Sequence, residues 1–345
     1  MAAKLAIIAE QAQVSEATVS RVLNDKPGVS PETRQRVLAA LDVLGIERPS
    51  TSTSTSLVGL ILPELSNPIF PAFVQVIENV LTRYGYTPIL CTQTPGGSAE
   101  DELTALLVDR GAIGIIFVSG LHADSTADVE RYARLTGRGV PFVLVNGNNK
   151  LIKAPSVSVD DRAAMWLAVQ HLVELGHERI GLAVGPRRFL PVLAKIEGFV
   201  AAMGARTGIS PERAEELIQH SLFSVEGGQA AAHALLDRDC TAIICASDLM
   251  AFGAIRAARM RGRQVPRDVS VIGFDDSPLI AFADPPLTTI RQPVEGMGQA
   301  AVNALLEEIS GNADTQNDFV FRPELVVRGS TGAVPRSVGF VPNGS

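Results

Sequence analysis

Seven short apolar runs recur between residues 57 and 274, separated by stretches with helical periodicity. The runs are LVGLIL (57–62), TPILC (87–91), IGIIFV (113–118), PFVLVN (141–146), RIGLAV (179–184), TAIICA (241–246) and VSVIGF (269–274). Each has the length and continuous apolar character of a parallel strand that is covered on both faces. Strands that alternate with helices predict an α/β fold with two doubly wound lobes and a cleft between them. A further helix is expected near 294–310 and a last strand near 319–328.

A composition change separates the first residues from this α/β region. Residues 49–56 read PSTSTSTS and have no apolar face to bury, so they predict a flexible linker. We divide the chain into a small all-α head (1–48), the linker (49–56), a first lobe (57–157 with 290–315), a second lobe (158–289 with 316–330) and a frayed, flexible tail (331–345).

Residues 8–24 of the head, IAEQAQVSEATVSRVLN, predict two short helices joined by a tight turn, the size that fits a DNA major groove. Ser15 is a good N-cap for the second helix. The inward positions are apolar at helical spacing: Ile8, Ala9, Ala12, Val19, Val22 and Leu23. The alternative to a DNA-reading helix-turn-helix is an ordinary helical hairpin that packs on a larger domain.

Charge and cysteine content narrow the classes of function. The formal net charge is −7, and residues 1–50 hold six basic and six acidic side chains. A neutral head has little general attraction to phosphates, so DNA binding would need specific contacts and a second head. The three cysteines lie in or beside apolar runs and predict buried thiols in a reducing cytoplasm. The chain has no export signal, no membrane span and no motif typical of an enzyme. We therefore expect a cytoplasmic protein without catalysis, cofactor or metal.

Residues 8–38 resemble the N-terminal head of LacI/GalR-family transcription regulators, whose pattern is V-A-x-x-A-x-V-S-x-x-T-V-S-R-V-L-N. Later segments such as LPELSNPIF, VSVDDRAAM, HLVELGHERIGL, ASDLMAFGAIRAA and VSVIGFDDSPL are similar to sensor segments of that family. The resemblance implies lobes of periplasmic-binding-protein type. Within the family, TQTPGGSAEDEL, SGLHADS and the linker are most similar to the maltose regulators of actinomycetes.

The chain departs from the family pattern in the head and the linker. The family usually has Asp where this chain has Ile7 and Gly where it has Gln13, and Gln13 fits the turn at little cost if its φ stays negative. The linker lacks the P-N-x-x-A-R-x-L segment that forms a minor-groove hinge helix in the family, so we expect no helix within 49–56.

The resemblance also implies roles for individual residues. In the head, Ser15 would begin the helix in the major groove, base edges would meet Glu16, Ala17 and Arg21, and phosphates would meet Thr18, Ser20 and Asn24. In the sensor, a sugar would be bound by Asn67, Phe70, Asn146, Asp160, Lys195, Phe223 and Asp275. Many of these positions follow predicted strands, where open α/β sheets bind ligands. Asp275 would accept hydrogen bonds from sugar hydroxyls. Lys195 stands where the family usually has an arginine, whose guanidinium can form bidentate hydrogen bonds that an ammonium group cannot.

Several of these residues have structural alternatives. Asp275 could instead cap the following turn, and Phe70 and Phe223 could belong to the core. Other residues are expected to be structural: Trp166 in the core, Asp248 as a helix cap, His177 in a turn, and His122 away from the ligand.

The predicted function is a sugar-responsive repressor of carbohydrate-utilisation genes, with maltose or malto-oligosaccharide as the candidate effector. A homodimer would read a pseudo-palindromic double-stranded DNA operator in the bacterial nucleoid. One alternative is a cytoplasmic sugar-binding sensor whose head has lost DNA binding, which the neutral head favours. Another is a periplasmic sugar carrier, which the lack of an export signal disfavours. Whether the sugar releases or tightens DNA binding stays open.

Overall fold

The computed structural model describes residues 2–23, 28–44, 46, 56–93, 99–311 and 318–334, and the chain divides into two units, Met1–Thr55 and Ser56–Ser345. The described part of the first unit contains α1 (Ala2–Ala12), α2 (Glu16–Leu23) and α3 (Pro31–Leu44). Their apolar faces enclose a core of Ile8, Ala9, Ala12, Val19, Val22, Val37, Ala40 and Leu41. The amide of Thr18 donates to Ser15 Oγ at 3.2 Å, so the predicted cap is confirmed.

The tight turn between α1 and α2 places Gln13 in a strained conformation. Gln13 adopts φ +53°, in the left-handed region, where a side chain is strained and glycine is not. The turn is the C-terminal cap of α1: the amides of Gln13 and Val14 donate to the carbonyls of Glu10 and Ala9 at 3.2 and 3.0 Å, and this pair of bonds accompanies a left-handed residue after the helix. The condition under which Gln13 would fit this turn at little cost, a negative φ, is therefore not met.

Replacing Gln13 by glycine is expected to stabilise the head by roughly 1 kcal/mol, because glycine adopts this φ without strain. Hydrogen exchange at the amides of Val19 and Val22 in the full chain measures the effect. Gln11→Gly is the matched control, since Gln11 lies within α1, where glycine should cost roughly 0.5–1 kcal/mol. Equal loss of protection in both variants would contradict the strain at Gln13.

The second unit consists of two α/β lobes. The first lobe contains β1 (Leu57–Leu62), α4 (Ile69–Arg83), β2 (Thr87–Thr92), α5 (Glu100–Asp109), β3 (Ala112–Val118), α6 (Glu130–Gly137), β4 (Phe142–Val145), β5 (Ser156–Val159), α12 (Val294–Ser310) and β11 (Asp318–Phe321). The second lobe contains α7 (Asp161–Glu174), β6 (Ile180–Val184), α8 (Leu190–Thr207), α9 (Pro211–Glu215), β7 (Ile218–His220), α10 (Val225–Leu236), β8 (Ala242–Cys245), α11 (Asp248–Met260), β9 (Ser270–Asp275), β10 (Thr288–Arg291) and β12 (Glu324–Val326).

Each lobe is built on a six-stranded sheet. The strand order is β11-β5-β4-β3-β1-β2 in the first, which is all parallel, and β12-β10-β9-β8-β6-β7 in the second, where only β12 runs antiparallel. Helices cover both faces, so successive residues of β1 enter different cores: Leu60 and Leu62 one, and Ile61 the other. The predicted pair of doubly wound lobes is confirmed.

The last predicted strand, 319–328, is in fact two strands in different sheets. β11 extends the first sheet beside β5, and β12 pairs with β10 in the second sheet. Pro323 lies between them and has no amide hydrogen to continue a ladder, so the chain crosses to the other lobe there. Assigning all of 316–330 to the second lobe was therefore wrong. The earlier boundaries also move, because the first sheet includes β5 to Val159 and the second includes β10 to Arg291.

The start of the predicted tail is packed rather than frayed. The amide of Val334 donates to the carbonyl of Leu175 at 2.9 Å, and the carbonyl of Gly332 lies 3.0 Å from Nε2 of the buried His177. His177 follows α7 in a turn, as expected, and its other nitrogen contacts Thr241 at 2.9 Å. Residues 335–345, and 49–55 of the linker, lie outside the described residues.

Two smaller expectations concern the cysteines and the membrane. All three cysteines are buried with free thiols, as predicted. No helix in the described ranges combines the length and the apolar character that a membrane span requires.

Candidate functional site

A cavity of about 590 Å³ lies between the two lobes, beyond the carboxyl ends of their strands. Its volume is in the range of small-molecule sites. All seven predicted ligand residues line it: Asn67, Phe70 and Asn146 from the first lobe, Asp160 from the crossing after β5, and Lys195, Phe223 and Asp275 from the second lobe. The topology thus brings together side chains that are separated by up to 208 positions in the sequence.

Asp275 ends β9 in an unusual backbone conformation, with φ +113°, and its side chain is buried. Its Oδ1 accepts a hydrogen bond from Gln292 Nε2 at 2.7 Å. Burial raises the pKa of Asp275 well above its ordinary value, and the nearby carboxylate of Asp248 raises it further. The hydrogen bond to Gln292, which lines the same cavity, takes the place of the turn-capping bond that was the alternative for Asp275.

Lys195 already has a partner in the cleft. Its ammonium donates to the buried Asp161 and lies 3.9 Å from the centre of the Phe274 ring. Burial raises the pKa of Asp161, while the charge of Lys195 lowers it. Lys195 therefore lines the cavity as one half of a buried ion pair, which limits how far its ammonium can turn towards a ligand.

Asp160 has a structural task besides its place in the cavity wall. Its side chain caps α7 by accepting from the Ala163 amide at 3.0 Å, and its own amide donates to the carbonyl of Phe321 at 2.8 Å. The second bond ties two of the segments that cross between the lobes. Asp160 therefore lies at the joint between the lobes.

The rings of Phe223, Phe189 and Phe70 line the cavity. Phe223 lies against Phe189, with ring centres 6.3 Å apart. Gly185 makes room for this ring, because a Cβ there would lie 2.1 Å from Phe223. Phe70 is 9% exposed, and it belongs to the core and also lines the cavity. The core position and the cavity position, which the sequence analysis gave as alternatives, are therefore compatible.

The lining residues that the sequence analysis missed include Gln292, Phe189 and Asp161. Gln292 is buried, and its Oε1 has no hydrogen-bond partner in the described part of the chain. Phe189 follows β6, so the rule that ligands bind at strand ends would have found it. Asp161 is adjacent to the predicted Asp160, but no sequence signal distinguishes the cap from the ion-paired carboxylate.

Three other expectations have mixed outcomes. His122 is fully buried outside the cavity wall, with Nε2 3.1 Å from the carbonyl of Val145, and burial lowers its pKa to about 4. Asp248 does not cap α11, because Ser247 does; Asp248 accepts from Thr289 Oγ1 at 2.7 Å instead. Trp166 is 40% exposed, so its predicted place in the core is wrong. Trp166 follows Met165 in α7, but its side chain lies outside the buried face of that helix.

The two lobes touch at one edge of the cleft. Arg188 Nε donates to Asp124 Oδ2 at 2.7 Å, and the Ser125 amide donates to the Arg188 carbonyl at 2.8 Å. Burial raises the pKa of Asp124, but hydrogen bonds from Thr126 and the charge of Arg188 outweigh it and hold the pKa below its ordinary value. The Asp124–Arg188 pair therefore favours the closed cleft at neutral pH.

Replacing Arg188 by alanine is expected to lower ligand affinity roughly three- to tenfold, because a smaller fraction of the protein has a closed cleft. Isothermal calorimetry measures the affinity, and Arg187→Ala removes an exposed charge from the same loop as the control. If both variants bind like the unchanged protein, the interlobe pair does not contribute to closure.

In the head, the outward face of α2 is accessible. Ser15, Glu16, Ala17 and Arg21 are exposed, and Thr18 and Ser20 are half-buried. Ser15 Oγ and Thr18 Oγ1 share a hydrogen bond of 2.8 Å, which orients both hydroxyls at the start of the helix. Asn24 lies outside the described residues. Within those residues, no group of three His, Cys, Asp or Glu side chains could hold a metal ion.

Known proteins match both units. The family model described as bacterial regulatory proteins, lacI family, matches residues 4–46, and a periplasmic binding protein-like domain matches 169–331. The chain is 67% identical to the HTH-type transcriptional regulator MalR of Streptomyces coelicolor, over 98% of this chain and 99% of that protein. It is 33% identical to the transcriptional repressor CytR of Escherichia coli K12, over 97% of this chain and 98% of that one.

Two solved structures are also similar. One is the complex of the transcriptional regulator CelR with cellobiose, with a TM-score of 0.70 and 30% identity, covering 94% of this chain and 99% of that chain. The other is a lac repressor dimer bound to operator and the anti-inducer ONPF, with a TM-score of 0.71 and 28% identity, covering 94% of this chain and 98% of that chain.

Proposed function

We propose that this chain, which belongs to the LacI family of bacterial regulatory proteins, represses genes for the use of α-linked glucose sugars until such a sugar occupies its cleft. The family makes it a DNA-binding transcriptional regulator and not an enzyme. The sugar class rests on the identity of 67% to a protein named MalR. The repressor role rests on relatives named as repressors, CytR among them.

The observation that carries the sugar proposal is the chemistry of the cleft. Carboxylate and amide groups of Asp275, Gln292 and Asn146 line it together with the rings of Phe223 and Phe189. A sugar needs both kinds of group, since its hydroxyls require hydrogen-bond partners and its C–H faces pack on aromatic rings. The free Oε1 of Gln292 offers an acceptor for a hydroxyl.

Closure of the lobes supplies the coupling to DNA. The sugar bridges residues of both lobes, so it stabilises the closed cleft, and the crossing segments near residues 160, 292 and 322 absorb the rotation. In a homodimer this rotation changes the spacing of two heads on an operator of two half-sites. The coupling between sugar and DNA would be about 1–3 kcal/mol. The regulator would act in the cytoplasm, at the chromosome.

A gel shift with DNA from upstream of the protein's own gene tests the proposal. We expect binding without sugar, by a protein that sediments as a dimer, and release when maltose or a longer α-1,4-glucose oligomer is added. Tighter binding with sugar would overturn the proposed induction. Sugar binding without any DNA binding would support the alternative of a sensor whose head has lost its function.

A further inference from the structure

The chain has one tryptophan, and it lines a surface depression rather than the core. This depression lies between α7 and α8 and is lined by Arg162, Ala163, Trp166, Glu197, Gly198 and Ala201. Three of these residues are small, so they leave the space beside the indole open. Gly198 is required there, because a Cβ would lie 2.6 Å from the Cα of Arg162.

The depression is continuous with the cleft. Arg162 and Glu197 line both cavities and form the ridge between them. Arg162 Nε donates to Glu197 Oε2 at 2.8 Å, and their side chains are 63% and 58% exposed. A ligand that leaves the cleft over this ridge therefore meets charged donors and acceptors first and the indole of Trp166 next, one helical turn beyond Arg162.

A polar ridge followed by an exposed aromatic face suits a sugar chain better than a protein surface. Hydroxyls can bond to the guanidinium and the carboxylate, and the C–H face of a pyranose can pack on the indole. We propose that Trp166 binds an outer unit of a glucose oligosaccharide whose inner units occupy the cleft. This extension rests on the proposed function, and it makes the regulator more sensitive to long oligomers than to the disaccharide.

The single tryptophan makes the test direct. We expect its fluorescence to change, saturably, with an α-1,4-glucose hexamer, and little with maltose. In calorimetry, Trp166→Ala should lower the affinity for the hexamer roughly five- to tenfold and leave the affinity for maltose unchanged. Ala201→Leu, which fills the depression and keeps the indole, should have the same selective effect. Tyr84→Ala, at an exposed aromatic residue that lines neither cavity, is the matched control.

The outcomes separate the two hypotheses. Hexamer affinity that survives both Trp166→Ala and Ala201→Leu, while maltose still binds, overturns the outer subsite and leaves the proposed function standing. Failure of every oligomer to bind overturns both. A change of sedimentation in Trp166→Ala with unchanged hexamer affinity would assign the depression to contact with a second copy of the chain, and would also overturn the subsite.

Discussion

Replacing Asp275 by alanine is expected to lower the affinity for sugar by about 2–3 kcal/mol, or roughly 30- to 150-fold. The two carboxyl oxygens can bond to neighbouring hydroxyls, and a sugar hydroxyl that is desolvated without a partner costs about 1–3 kcal/mol. The variant also leaves Gln292 Nε2 without its acceptor at 2.7 Å, so the cleft loses a fixed amide as well. Calorimetry with the sugar that releases the unchanged protein from DNA measures the loss. Unchanged affinity would remove Asp275 from the site.

The same variant should still bind DNA. Asp275 lies at the end of β9 in the second unit of the chain, whereas the residues proposed to read DNA are in the first. The expected phenotype is a repressor that stays on its operator whatever the sugar supply. A gel shift with and without sugar detects it, and loss of DNA binding would indicate a folding role for Asp275 instead.

The substitution Asp275→Asn removes the titratable carboxyl group and keeps the shape of the side chain. The folded protein raises the pKa of Asp275 above its ordinary value of 3.8, so the folded state holds this proton more tightly than the unfolded state does. The stability contributed by the protonated carboxyl is complete below the ordinary pKa and is lost as the pH rises through the folded-state pKa. Asparagine does not titrate. As the pH rises through the folded-state pKa of Asp275, the Asp275→Asn variant should therefore lose less stability than the unchanged protein, and thermal unfolding at a series of pH values measures the difference. A steeper loss in the variant would contradict the raised pKa.

Replacing Arg21 by alanine is the second large expected effect, a loss of about 1–3 kcal/mol of operator affinity for each head. Arg21 is the one cationic side chain of α2, and it is exposed. Arginine paired with guanine is the commonest specific base contact in a major groove, so the variant should also tolerate changes at the contacted base pair. Fluorescence anisotropy with operator DNA and with single-base variants of it measures both effects.

Arg36→Ala is the matched control for this experiment. Arg36 is also exposed but belongs to α3, so the variant loses the same charge from a different helix. If Arg36 contributes only general attraction to phosphates, its loss weakens binding equally for all sequences and less than the loss of Arg21. Equal, sequence-independent losses in the two variants would show that α2 does not read bases.

The sequence by itself predicted the parts of this protein that depend on local periodicity. The inward stripe of Ile8, Val19 and Val22 follows from helical spacing, and the lobes follow from alternating strands and helices. The residues of the cleft were predictable because ligands of parallel sheets bind where strands end, and the family resemblance supplied the residue types there. Asn67, Asn146 and Asp275 are far apart in the chain, but they line one cavity because each of them lies at or beyond the carboxyl end of a strand.

The tertiary structure alone decided which side chains are paired and which surfaces are exposed. The pairing of Lys195 with Asp161, the bond of Gln292 to Asp275 and the contact of Arg188 with Asp124 each join different elements, and no local pattern encodes them. Helical periodicity places Trp166 outside the buried stripe of α7, but only the tertiary structure shows that the small residues of α8 leave its indole beside an open depression.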